Sequence, residues 1–245
     1  MSRTLSLALP LFLLAATVAR ADQAGDARAA YDRGDFAAAL QLAPPLANQG
    51  NAAAEAVLGQ LYANGHGVTR DYAQALTWFR KAAAQGDPLA ERCLGVAYTS
   101  GLGVPRDYGE GIRWLHLAAD QGDAPADSAL GLLYETGRGV KQDEAEAMRW
   151  YDRGVKGGDL IGLAGLCATN TFAPHDLVRT YVWCSAVAAH GPAPWNGLAS
   201  FSMQQLMQRM SAPLVEQARS LATAWTPADG LDLPQVAPQN ISHAP

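Results

Sequence analysis

Residues 58–90 read LGQLYANGHGVTRDYAQALTWFRKAAAQGDPLA, and this stretch decides the fold. Its pattern is Leu58-Gly59, Tyr62, Gly65, Gly67-Val68, Asp71, Ala75, Trp78, Ala82, Gly86-Asp87 and Ala90. Thirty-six residues later the pattern returns from Leu94-Gly95 through Tyr98, Gly101, Gly103-Val104, Asp107, Gly111 and Trp114 to Gly122-Asp123. After the same interval it returns again, from Leu130-Gly131 through Tyr134, Gly137, Gly139-Val140, Asp143, Ala147 and Trp150 to Gly158-Asp159. A fixed period of this length marks a solenoid, in which each unit buries its apolar face against its neighbours.

Within one unit the apolar residues Ala54, Val57, Leu58, Leu61 and Tyr62 recur at helical spacing, predicting a helix A over about 53–63. Gly65 and Gly67 permit positive φ and stop it. Asp71 is placed to cap a helix B from Tyr72 to about Ala84, and Gly86 is the expected left-handed C-cap. Pro88 suits the first turn of the next helix. Gly59, Gly95 and Gly131 each cost about 1 kcal/mol against alanine inside helix A. A cost repeated three times is expected to admit a close helix crossing. Trp78, Trp114 and Trp150 fall where helix B should meet its neighbours and are expected to bury their rings.

The Leu-Gly-x-x-Tyr of helix A, the Gly-x-Gly-Val turn, the Asp cap, the Ala…Trp of helix B and the Gly-Asp exit resemble the Sel1-like repeat (SLR) family, relatives of the tetratricopeptide repeat. The resemblance is strong over 53–162 and weaker over 162–191. It implies an all-α, right-handed superhelical solenoid of antiparallel helix pairs, with the A helices on the concave face. Most such proteins are interaction scaffolds without catalysis. By analogy with tetratricopeptide geometry, the groove-facing positions are Ala56, Gln60, Ala63 and Asn64, then Arg92, Val96, Thr99 and Ser100, then Ser128, Leu132, Glu135 and Thr136. Such a mixed face suits a peptide or protein partner, of unknown identity, better than a charged small ligand.

The flanking sequence completes the layout. Residues 1–21 read as a secretory signal: Arg3, an apolar run from Leu5 to Val18, and the small-residue site Ala19-Arg20-Ala21. That run is shorter than the roughly 20 apolar residues of a membrane span. The expected location is therefore periplasmic or secreted. Cleavage removes Arg3 and Arg20, leaving 16 basic residues against 23 acidic, a net of −7. An acidic, thinly charged chain argues against nucleic acid as a partner. Residues 22–52 read as a degenerate N-terminal cap unit with a turn at 31–35 and a short helix B from Phe36. Repeats are expected at about 53–89, 90–125, 126–161 and 162–191, the last lacking the Gly-x-Gly-Val turn and capped by Asp176. Two helices over 192–225 should close the end, the first capped by Asn196 and the second opened by Ser211 and Pro213. Met203, Leu206, Met207 and Met210 form a stripe facing repeat four. Residues 226–245 read as a disordered tail.

Little catalytic chemistry is legible. The five histidines show no metal spacing, and His66 is expected to be solvated. There is no S-x-x-K, no G-x-S-x-G and no phosphate-cradling loop, and no cofactor is expected. Cys167 and Cys184 fall on the two helices of one unit. Some SLR proteins staple a hairpin this way with a different cysteine pattern, so a bridge and two separate thiols both remain open. Cys93 is expected as a buried thiol. The resemblance, with the signal-like segment and the mixed groove, implies an exported interaction scaffold or envelope regulator. A cell-wall or β-lactam hydrolase and a carbohydrate-binding module, the latter with Trp195 and Trp225 as its candidate tryptophans, are the alternatives.

Overall fold

A computed structural model describes residues 25–172, 176–191 and 193–231. The signal-like segment 1–21 and the tail beyond 231 lie outside the described residues. So do residues 173–175. Among the described residues every regular element is helical. Helix α1 covers 25–32. It is followed by α2 (Phe36–Ala47), α3 (Ala52–Asn64), α4 (Tyr72–Ala83), α5 (Pro88–Ser100), α6 (Tyr108–Asp120), α7 (Ala124–Thr136), α8 (Glu144–Lys156), α9 (Ile161–Phe172), α10 (Leu177–His190), α11 (Trp195–Arg209) and α12 (Ala212–Ala224). A short 3-10 turn, Pro227–Asp229, ends the described chain. The helices form two compact units, divided between Gln121 and Gly122.

In the first unit α3 pairs with α4 and α5 with α6, and α4 also packs on α5. The pairs form because their local signals agree. Asp71 and Asp107 accept backbone N–H groups at the starts of α4 and α6, and Asn51 and Asp87 do so for α3 and α5. Gly65 and Gly101 hold the left-handed C-caps of α3 and α5 at φ 70° and 74°. The second glycine of each turn does a different job. A Cβ on Gly67 would lie 2.6 Å from Leu40 Cδ1 of α2, and one on Gly103 2.7 Å from Tyr72 Cβ of α4. These residues let each turn seat against the preceding helix B.

The glycines inside helix A admit the close crossing expected of them. A Cβ on Gly59 would run into the ring of Phe79, and one on Gly95 would lie 2.6 Å from Leu115 Cγ. In the second unit a Cβ on Gly131 would lie 2.6 Å from Tyr151 Cδ1. This same geometry corrects the expectation for the tryptophans. The residues buried against the glycines are Phe79, Leu115 and Tyr151, each one position after a tryptophan. One residue is about 100° of helix rotation, so Trp78, Trp114 and Trp150 are turned to the half-buried flank. There each lies under a cation: Lys81 Nζ is 4.1 Å from the Trp78 ring centroid, Arg113 Cζ 4.3 Å from Trp114 and Arg153 Cζ 5.2 Å from Trp150. Trp183 of α10, by contrast, is buried.

The helix-B exits also differ in detail. Ala84, in right-handed conformation, is the C-cap of α4. Gly86 sits two residues later at φ 79°, after the chain has closed hydrogen bonds from Gln85 and Gly86 back to Ala82 and Ala83. The left-handed residue thus reverses the chain after the helix has ended, and Asp87 caps the next helix.

Each hairpin also buries an acid. Glu55, Glu91 and Asp127 stand 36 residues apart and are 3 %, 4 % and 2 % exposed. Gln85 Nε2 donates to Glu55 at 2.8 Å, Gln121 Nε2 donates to Glu91 at 2.6 Å, and Arg153 pairs with Asp127 at 3.1 Å. Burial pushes the Glu55 and Glu91 carboxyls above their ordinary range, against the glutamine hydrogen bonds and, for Glu55, the charge of Lys81. A carboxyl raised on folding stabilises the fold fully below its unfolded pKa, and that contribution is lost as pH rises through the folded pKa. Glu91→Gln, which stays neutral, is therefore expected to raise Tm by a few degrees at pH 7 and by almost nothing at pH 4. About 1 kcal/mol is worth 2–4 °C in a chain this long. Thermal circular dichroism at the two pH values checks this, and an equal shift at both would refute it.

The N-terminal unit is a full helix pair. Asp35 caps α2, which runs twelve residues through Pro44 and Pro45 and is longer than the short helix expected. In the second unit α9 and α10 pack together and α11 and α12 pack on α10. Asp176 caps α10 as expected. Asn196 does not cap α11: the helix starts at Trp195, two residues earlier than expected, behind Pro194, and the Asn196 side chain accepts from Gly197 N–H while its main-chain oxygen accepts from the Ser200 hydroxyl. Leu206 and Met210 are buried in this unit's core, with Met203 and Met207 at its edge. The first residues of the expected tail are ordered. Trp225 Nε1 donates to Gly230 O at 3.1 Å, and Leu231, 6 % exposed, donates its N–H to Asp152 Oδ1 at 2.7 Å. Cys167 and Cys184 are joined in a disulfide between α9 and α10, with Cα atoms 5.2 Å apart.

Candidate functional site

The first unit carries a pocket of about 270 Å³ between α3, α4 and α5. Gln60 and Asn64 of α3 line it, as do Arg92 and Val96 of α5. Each pair is spaced by four residues and shares one helix face. The apolar floor is Ala75, Leu76 and Phe79 of α4 with Ala97 and Leu102, and Ala63, Tyr72 and Cys93 complete the lining. Five of the sequence-derived groove residues, Gln60, Ala63, Asn64, Arg92 and Val96, thus come together.

The polar groups of the pocket are unevenly satisfied. Asn64 Nδ2 donates to the hydroxyl of Tyr31 at 2.7 Å. Burial raises the Tyr31 phenol above its usual value, the Asn64 hydrogen bond opposing the shift. Gln60 Oε1 is buried with no hydrogen-bond partner among the described residues. Arg92 is the only charged side chain in the lining. Val96 is 37 % exposed at the rim. Cys93, expected as a buried thiol, is half-buried and faces the pocket. His66, expected to be solvated, stacks on Phe36 with ring centroids 3.8 Å apart.

Other groove candidates turn away. Ala56 is 1 % exposed in the core. Thr99 packs toward α6, where its Cγ2 leaves Gly111 no room for a Cβ. Ser128, 5 % exposed, is wedged against Gly154 and Gly162. Glu135 accepts a 2.6 Å hydrogen bond from the Tyr151 hydroxyl. Burial, then the Glu135 hydrogen bond and charge, pushes that phenol far above its usual value. Glu135 therefore holds a core tyrosine in place. Leu132, 48 % exposed, Ser100 and Thr136 remain at the surface.

Sequence reading missed Tyr31, Tyr72, Leu76 and Phe79 as pocket neighbours. It also missed the buried acids, whose common spacing was visible at 55, 91 and 127, as were the glutamines at 85 and 121 that pair with the first two. Among the described residues no cluster of His, Cys, Asp and Glu could hold a metal ion, and no helix is long and apolar enough to cross a membrane.

The repeat boundaries at Asn51, Asp87 and Asp123, the caps of α3, α5 and α7, and at Asp159 coincide with matches to one family model, the Sel1 repeat, at 52–87, 88–123 and 124–159. The three central units are Sel1 repeats. Among solved structures, the chain is similar to a Sel1 repeat protein from Oxalobacter formigenes, with 28% identity and a TM-score of 0.64 over 84% of this chain and 87% of that one. It is similar in fold to a protective antigen of uropathogenic Escherichia coli that displays an SLR fold, with 24% identity and a TM-score of 0.57 over 89% of this chain and 52% of that one. A comparison with curated proteins returns no match. Sel1-repeat proteins are in general scaffolds for protein–protein contact.

Proposed function

We propose that the protein is an exported interaction scaffold or regulator of envelope machinery, working without catalysis by binding another protein or a peptide through the α3–α5 face. The observation that carries this reading is the contrast within the Sel1 repeats. Their framework residues repeat, while equivalent surface positions diverge: Gln60 against Val96 and Leu132, and Asn64 against Ser100 and Thr136. A framework of turns, caps and crossing glycines held in common under a varied face suits a recognition surface on a solenoid. Export is supported by the signal-like residues 1–21 and by the Cys167–Cys184 disulfide, a bond that persists in oxidising compartments.

Affinity capture from envelope extract tests the reading. Arg92→Glu reverses the only charge in the pocket and is expected to lose at least about 90 % of a captured partner, a cost of roughly 1.4 kcal/mol. Circular dichroism should show both proteins equally folded. A partner held equally by both would place recognition elsewhere on the chain. Glu135 is a poor second mutation, because changing it strips the Tyr151 hydroxyl of its acceptor.

A further inference from the structure

We infer that the α3–α5 pocket takes one uncharged, apolar residue of an extended peptide, which runs along α3 and gives alternate main-chain N–H groups to the side-chain oxygens of Gln60 and Asn64. The inference rests on the reading above and specifies how the partner is held. Gln60 Oε1 is buried in the lining without a hydrogen-bond partner among the described residues, and an unmet buried acceptor calls for a donor. Asn64 donates through Nδ2 to the Tyr31 hydroxyl at 2.7 Å, which fixes the amide and leaves its oxygen to accept. The two acceptors stand one turn apart on one face of α3, about 6 Å along its axis. In an extended chain every second N–H points the same way, at intervals of roughly 6.6–6.8 Å, so the two spacings match. A ligand with a single donor would leave one acceptor unmet. A helical partner keeps its N–H groups in internal bonds beyond the first turn. The amide pair belongs to the first Sel1 repeat alone, since the equivalent positions carry Val96 with Ser100 and Leu132 with Thr136. Leu76 and Phe79 form the floor and the lining holds no carboxylate, so the side chain that enters is apolar and not cationic. Arg92, also in the lining, has an interaction of its own within the protein and takes no part in this selectivity. The volume, about 270 Å³, lies just below the roughly 300 Å³ at which small-molecule pockets begin, a size for one residue of a longer chain.

Cys93 supplies the readout. It is the only cysteine outside the disulfide, and it lines the pocket. The full chain would be alkylated with iodoacetamide, and modification of Cys93 followed by mass spectrometry. The probe is the blocked pentapeptide acetyl-Ala-Ala-Leu-Ala-Ala-amide at about 10 mM, above the millimolar Kd suited to so small a contact. Alkylation is expected to slow about tenfold. A single N-methyl group, walked along the probe, deletes one donor at a time. It should cut protection below about twofold at two nitrogens that are separated by one tolerant nitrogen. Gln60→Met, checked for folding by circular dichroism, should lose protection to the same extent, as should probes with aspartate or lysine in place of the leucine. Equal loss at every methylated nitrogen, or loss at none, would overturn the inference. So would full protection of Gln60→Met, equal protection by a charged probe, or no protection at all. The capture experiment keeps the two ideas separate. A partner lost by Arg92→Glu without the alternating pattern would leave the scaffold reading standing and this mode of holding refuted. The alternating pattern without any captured partner would do the reverse.

Discussion

Reduction of the Cys167–Cys184 bridge is expected to cost about 3 kcal/mol and lower the melting of the α9–α12 region by about 6–12 °C. The cross-link closes a loop of 17 residues between two helices. Its stabilisation comes mainly from the unfolded chain, which loses freedom in proportion to the logarithm of loop length. The bridge matters here because of what this hairpin lacks. The Sel1 turns are each set by two glycines of positive φ, at 65 and 67, 101 and 103, and 137 and 139. The segment between α9 and α10 contains no glycine at all. Thermal denaturation with and without a phosphine reductant measures the effect, and Cys167→Ala with Cys184→Ala should reproduce the reduced value. Cys93→Ala should leave the reductant shift unchanged. A shift below about 2 °C would mean that packing alone holds this hairpin.

Alanine at Gly95 is expected to cost about 2 kcal/mol, or 4–8 °C, although alanine favours helices. The helix gain is about 1 kcal/mol. Against it stands overpacking, typically 1–3 kcal/mol and here at the upper end. The new Cβ would lie 2.6 Å from Leu115 Cγ and 3.0 Å from the backbone oxygen of Gly111. Side chains can move, but that carbonyl is held in α6. Gly59 offers the contrast, because its three nearest atoms all belong to the Phe79 ring. Gly59→Ala should therefore be largely rescued by Phe79→Leu, while Gly95→Ala should be only partly rescued by Leu115→Ala. Equal rescue at the two sites would show that α6 yields more easily than its packing implies.

These contrasts show which links between sequence and structure are local. The period, the Asp caps and the Gly-x-Gly turns are written in residues that act on their immediate neighbours, so they could be read directly. The tryptophans misled because size was taken for burial. Phe79, Leu115 and Tyr151 carry the core from one position further along. Part of the pocket lining could be anticipated from the tetratricopeptide analogy, which names Gln60, Ala63, Asn64, Arg92 and Val96. Ala56, Thr99 and Ser128 lie on the flanks of helix A, where adjoining helices cover them. Contacts between distant residues left no local trace: Asn64 meets Tyr31 across 33 residues, and Leu231 meets Asp152 across 79.

The pairings inside the repeats bear on how such a chain grows. Gly59 with Phe79, Gly95 with Leu115 and Gly131 with Tyr151 all lie within single 36-residue blocks, as do Glu55 with Gln85, Glu91 with Gln121 and Asp127 with Arg153. A gene duplication or unequal crossover in this frame would carry every lock together with its key. Only seams such as Gly67 on Leu40 and Gly103 on Tyr72 would need to re-fit. The blocks are in that sense heritable cassettes, and lineages could lengthen or shorten the array while each inserted unit kept its own internal chemistry.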